Sequence, residues 1–152
     1  MGEGRRLAFE EFEVGQRFAN GSVTLTSEMV KTFAAAYDPQ PFHLDETAAE
    51  ASVFGGLAAS GWHTAALTMR MLVDGGAPID GGIIGVGGEI AWPRPTRPGD
   101  TLRVESEVVE IIPSRSKPMQ GLVVMQAETF NQRDEVVQRL TAKLVVRRRT
   151  AP

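Results

Sequence analysis

Asp100-Thr101-Leu102-Arg103-Val104-Glu105-Ser106-Glu107-Val108-Val109-Glu110-Ile111-Ile112 carries the pattern on which the fold turns. Leu102, Val104, Ser106 and Val108 fall on one side of an extended chain; Arg103, Glu105 and Glu107 fall on the other. A period of two with one greasy side is the signature of an antiparallel strand half-buried against a core. Downstream, residues 121–131 read as a second strand and 136–147 as a third, with a turn at 132–135 between them. Upstream, residues 83–92 read as a glycine-rich strand, and 22–26 as a short one after an Asn20–Gly21 turn. The polar, twice-proline stretch 113–120 is a connection.

Between the short first strand and the later ones the period changes. Thr26 and Ser27 can cap a helix from Glu28 to Tyr37, with Met29, Phe33 and Ala36 on one face. Pro39 ends it at Asp38. Asp38-Pro39-Gln40-Pro41-Phe42-His43 reads as a rigid extended loop, followed by a short helix over about 45–51. After the Gly- and Ala-rich stretch 53–60, a third helix runs from Gly61 to about Val73, mostly apolar and therefore expected to be buried. Helices gathered before strands indicate an α+β domain, with the sheet wrapped on the apolar third helix. One domain over 1–152 suits the length.

Composition excludes several classes. The net charge of −3 gives no basic footprint for nucleic acid. Arg147–Arg149 reads as a solvated run. The chain has no cysteine, hence no disulfide, thiolate nucleophile or Cys-based metal site. The first residues lack the apolar stretch of a signal peptide, and no run reaches the ~18 apolar residues of a membrane span. No membrane association and a cytoplasmic location are expected. His43 and His63, the chain's two histidines, stand twenty residues apart and do not form a recognised metal-ligand spacing with Asp45 and Glu46, so no metal is expected. There is no G-x-S-x-G elbow, and the glycines of 81–88 lack the Lys-Ser/Thr of a phosphate loop.

The candidate chemistry lies in 38–63. Asp38 and His43 combine a carboxylate and an imidazole, which suits proton transfer near neutral pH; the same pair also suits a loop cap and a hydrogen-bonded buried histidine. Gly61 opens a helix whose first amides have no internal partner and favour negative charge. It can equally be a tight entry into a packed helix. His63 can line a pocket or simply be satisfied in the core, and Trp62 can be packing or pocket wall.

These residues stand in a familiar order. Tyr37-Asp38-Pro39-Gln40-Pro41-Phe42-His43-Leu44-Asp45 resembles the D-x-N-P-x-H-x-D signature of the MaoC-like dehydratases, among them the (R)-specific enoyl-CoA hydratases. Phe54-Gly55-Gly56 with Ala59-Ser60-Gly61 resembles that family's F-G-G and A-H/S-G segment, and Arg94-Pro95-Thr96-Arg97-Pro98-Gly99-Asp100 its R-P-V-R-P-G-D turn. Asn131-Gln132 with Glu135-Val136-Val137 and the opening Phe12 to Phe18 are also similar, so the likeness spans nearly the whole chain. It implies a hot dog fold, a curved antiparallel sheet around a central helix, and at least a homodimer with active sites near the interface. It also implies hydration of a 2-enoyl thioester on CoA or a carrier protein, the acyl-CoA being substrate, with no further cofactor. Asp38 and His43 are then catalytic, and the Gly61 amide is the oxyanion donor. Gln40, Ser60, Trp62 and Phe54 would contact substrate, and Leu57 and Met69 would help set pocket depth. Gln40 departs from the signature, being one methylene longer than Asn. Arg94, Arg97, Arg115 and Lys117 are candidates for the CoA phosphates. Thioester hydrolysis, as in hot dog thioesterases, and a non-catalytic acyl-thioester binding module are the other readings.

Overall fold

In the computed structural model, which describes residues 4–152, the elements run β1 (Arg17–Thr24), α1 (Ser27–Tyr37), α2 (Pro41–Leu44), α3 (Glu46–Glu50), α4 (Gly61–Gly75), β2 (Gly85–Ala91), β3 (Thr101–Pro113), β4 (Gln120–Phe130) and β5 (Val136–Arg147). The strands form one antiparallel sheet in the order β1-β3-β4-β5-β2, leaving β1 and β2 as its edges. The alternation of β3 is realised: Leu102, Val104, Ser106 and Val108 are buried, and Glu105 is exposed. The sheet packs on α4, where Met71 meets Leu102, Val104, Ala127 and Val137 in one core cluster. A second cluster, Phe9, Phe12, Val108, Val123, Leu144 and Val146, closes the other end under the lead-in segment. This is the hot dog arrangement of an α+β fold.

Four local expectations change. Asn20–Gly21 does not turn. It lies inside β1, where the pairing with β3 slips between Asn20 and Val23. Gly21 takes φ +126°, and a Cβ there would sit 2.8 Å from the Arg103 Cα, so the glycine serves a bulge rather than a hairpin. Asn20 Nδ2 donates instead to the Met71 carbonyl at 2.7 Å, tying β1 to α4.

On α1 the buried residues are Val30 and Ala34, not the Met29, Phe33 and Ala36 face, which borders an open groove. The segment after Asp38 is not extended throughout. Pro41 occupies the first helical position of α2, where its fixed φ is preorganised and its missing N–H costs nothing.

Lastly, α4 is buried only on the face bearing His63, Thr64, Thr68 and Met71. Trp62, Met69 and Val73 remain exposed (60%, 42% and 65%), as do Ile84 and Val86 in and beside the edge strand β2 (52% and 59%). No helix among the described residues is long and apolar enough to cross a membrane.

Candidate active site

The site is assembled where α1 stops, α2 turns and α4 begins. Asp38 caps the C-terminus of α1, its N–H reaching the Ala34 carbonyl at 2.8 Å, and Pro39 prevents continuation. The single turn of α2 then carries His43 back beside it. The gap between His43 Nε2 and Asp38 Oδ2 is 3.3 Å. His43 is buried, and its Nδ1 lies 2.6 Å from the Ala58 carbonyl oxygen. A carbonyl only accepts, so Nδ1 carries a proton, and Nε2 is the ring nitrogen turned toward Asp38. Phe42 and Phe54 pack about the imidazole, with ring centroids 4.6 and 6.0 Å from it.

The carboxylate is equally constrained. Burial alone would push the Asp38 carboxyl up, but hydrogen bonds from Ser60 and Gln40 and the neighbouring His43 outweigh it and hold the group below its ordinary value. Gln40 Nε2 donates to Asp38 Oδ1, so the residue that departs from the family signature is engaged with the carboxylate. Ser60, fully buried, also caps α4, accepting from the Trp62 N–H at 3.3 Å. Replacing Ser60 by alanine removes a donor to the charged form of Asp38, so the carboxyl pKa rises. The acid limb of kcat/KM set by Asp38 should then move to higher pH, activity being lost earlier as pH falls. A pH–rate profile checks this, and an unmoved acid limb contradicts it.

Gly61 starts α4, and its N–H finds no acceptor among the described residues. It borders an open cleft of about 410 Å³, shared with Gln40, Phe42, His43, Phe54, Ala59, Thr64, Trp92 and Thr96. The strap 53–60 is held in place from across the chain. Arg97 donates to the carbonyls of Phe54, Gly56 and Leu57, and the Ala59 N–H reaches the Thr96 carbonyl at 2.8 Å. Thr64 Oγ1 donates to Thr96 Oγ1 at 2.9 Å on the cleft floor.

Thus Asp38, His43, Gln40, Ser60, Gly61 and Phe54 come together. Trp62 does not line this cleft; it stands edge-on against Trp92 with centroids 5.1 Å apart. Met69 lines a separate small apolar cavity of about 40 Å³ beneath α4, with Leu72, Ile83 and Leu140. His63 faces the groove on α1, stacked on Phe33 at 4.5 Å, and burial pushes its pKa down. Of the proposed phosphate cations, Arg94 is on the cleft, paired with Glu135 at 3.2 Å, and Arg97 is consumed by the strap. Arg115 and Lys117 lie beyond the other end of β3, whose thirteen residues span roughly 40 Å. Sequence reasoning missed Trp92, Thr64 and Thr96, whose only local signal is their place in, or opposite, the Arg94–Asp100 turn. Among the described residues no three His, Cys, Asp or Glu side chains converge as metal ligands.

Comparison with known proteins places this arrangement. Residues 11–129 match the family described as the MaoC like domain, which is most of the chain and includes the whole site. The chain belongs to the MaoC-like dehydratase family. A crystal structure of the MaoC-like dehydratase from Rhodospirillum rubrum superposes on this MaoC-like domain with TM-score 0.92 at 57% identity, covering 95% of this chain and 99% of that one. The R-hydratase PhaJ1 from Pseudomonas aeruginosa superposes with TM-score 0.75 at 28% identity, covering 94% and 87%. In sequence, the 3-hydroxybutyryl-CoA dehydratase of Methylorubrum extorquens is 33% identical over 114 residues, 74% of this chain and 71% of that protein. The MaoC-like domain is accordingly of the acyl-CoA hydratase and dehydratase kind in general terms.

Proposed function

We propose that this protein adds water reversibly across the double bond of a 2-enoyl-CoA, with Asp38 and His43 moving the protons and the Gly61 amide receiving the oxyanion. The observation that carries the reading is the Asp38–His43 geometry. Asp38 Oδ2 and His43 Nε2 stand 3.3 Å apart, so that one water can lie within hydrogen-bond reach of both. Such a water can donate an O–H to the carboxylate while its other atoms engage the imidazole nitrogen. Its oxygen then bonds to C3 while the C2–C3 π pair shifts toward the thioester oxygen, and one water proton passes to the pair. A proton returned from the pair to C2 completes the addition. The thioester oxygen carries negative charge in between, which the Gly61 N–H and the N-terminal end of the α4 dipole favour. The named activities of the PhaJ1 and Methylorubrum extorquens relatives support this choice over hydrolysis. Incubation with 2-enoyl-CoA tests it: loss of enoyl absorbance without free thiol supports hydration, and thiol release favours hydrolysis.

The exposed stripe of α4 and the open edge β2 support a homodimer as the working form. A second copy that pairs along β2 would cover Trp62, Met69, Val73 and Val86, an apolar set unusual for a free surface. Light scattering during size-exclusion chromatography at micromolar concentration should give twice the 16.4 kDa chain mass; a monomer contradicts it.

A further inference from the structure

Trp92 follows the last residue of β2 and is 38% exposed on the cleft. A Cβ built on Gly61 would lie 2.7, 2.8 and 2.9 Å from its Cε2, Cδ2 and Cζ2. The fused bond of the indole is therefore pressed on the Gly61 backbone, beside the free amide. The indole is tethered from below: Nε1 donates to Gln138 Oε1 at 2.9 Å. Gln138 is completely buried, on β5 opposite Thr129 of β4. The indole N–H can only donate, so the Gln138 amide must present its oxygen, which leaves Nε2 on the other side. That nitrogen is buried and has no partner among the described residues. Burying an amide with half of its hydrogen bonds unmade is unfavourable, and an apolar side chain of the same size would avoid it. Self-satisfaction within the core thus does not account for a glutamine here. The bond it does make fixes one thing, the plane and position of Trp92.

We infer that Gln138 is a positioning residue that holds the Trp92 indole over Gly61, so that Trp92 forms the wall which excludes water from the oxyanion amide. The inference rests on the proposed hydratase reading. An N–H aimed at a developing oxyanion acts more strongly where water is kept out, because the local dielectric is low. The effect belongs to the transition state, so it should lie in kcat more than in KM.

The test is a double-mutant cycle of Gln138→Leu and Trp92→Phe, assayed with crotonyl-CoA and trans-2-octenoyl-CoA, with thermal melts of every variant. Gln138→Met replaces the leucine variant if that does not fold. Trp92→Phe keeps a ring but removes the N–H that Gln138 holds. Each single variant should lower kcat about tenfold, a fraction of what a whole oxyanion donor supplies, with KM changed less than about threefold. The double variant should be no slower than Trp92→Phe alone, since without the N–H there is nothing left to tether. A buried glutamine with a merely structural role would lower the melting temperature and leave kcat in place, or give losses that multiply; either result overturns the inference while leaving the hydratase reading intact. A wild type that binds these thioesters without turning them over removes the hydratase reading and this inference with it. A wild type that neither hydrates nor binds either thioester removes the functional reading, and this inference with it.

Discussion

Asp38→Asn and His43→Ala each lower kcat on a 2-enoyl-CoA by at least about 100-fold, the usual worth of general acid–base help. The two residues share one water and one proton inventory, so either loss disables the same device. The double variant should therefore be little slower than the worse single, as groups acting as a unit are strongly non-additive. Asp38→Asn is the cleaner probe. It keeps the side-chain shape beside Gln40 and Ser60 but replaces an acceptor oxygen by a donor. His43→Ala also vacates a buried ring packed between Phe42 and Phe54 and releases the Ala58 carbonyl. Some loss of melting temperature is expected for it and none of consequence for the asparagine. Steady-state rates beside circular-dichroism melts separate the two effects. A folded Asp38→Asn enzyme with wild-type kcat removes Asp38 from the chemistry.

Gly61→Ala should cost about 10²-fold in kcat and several degrees of thermal stability. On helix propensity alone the change would help, by ~0.5–1 kcal/mol. The contact with Trp92 reverses that sign. The new methyl would lie 2.7 Å from the indole, and either the ring or the start of α4 must give way. Overpacking of this kind costs ~1–3 kcal/mol, at about 2–4 °C of Tm per kcal/mol in a chain of this size. A displacement near 1 Å of the amide from the thioester oxygen is enough to cost about 10²-fold in rate. A more stable, fully active Gly61→Ala protein would show that the glycine only shortens the entry into α4.

What could be read from the sequence follows the range of the forces involved. The strand period of 101–113 is local and survives intact; the short link from Asp38 to His43 is local too and still brings the two together, although a turn of helix over Pro41–Leu44 replaces the extended loop. The fold class and the cluster of Asp38, Gln40, His43, Ser60 and Gly61 were therefore legible. Local rules failed where a distant neighbour decides. Asn20–Gly21 has turn chemistry, but Arg103 and Met71 pack over it and make a bulge. The Met29–Phe33 face of α1 has helical spacing, yet the interior lies on the Val30–Ala34 side. Arg97 reads as a surface cation until its bonds to the 54–57 carbonyls, about forty positions away, are seen. The Trp92–Gln138 pair, 46 positions apart, has no local signal, because its partners meet only when β2 joins the edge of β5.

The central claim, that Asp38 and His43 activate water for addition to an enoyl thioester, is tested most directly by mixing crotonyl-CoA with wild type and Asp38→Asn in parallel. Enoyl absorbance and free thiol are followed together. The account predicts that absorbance falls with the wild type alone and that no thiol appears. Release of thiol, or an equal fall with Asp38→Asn, would contradict it.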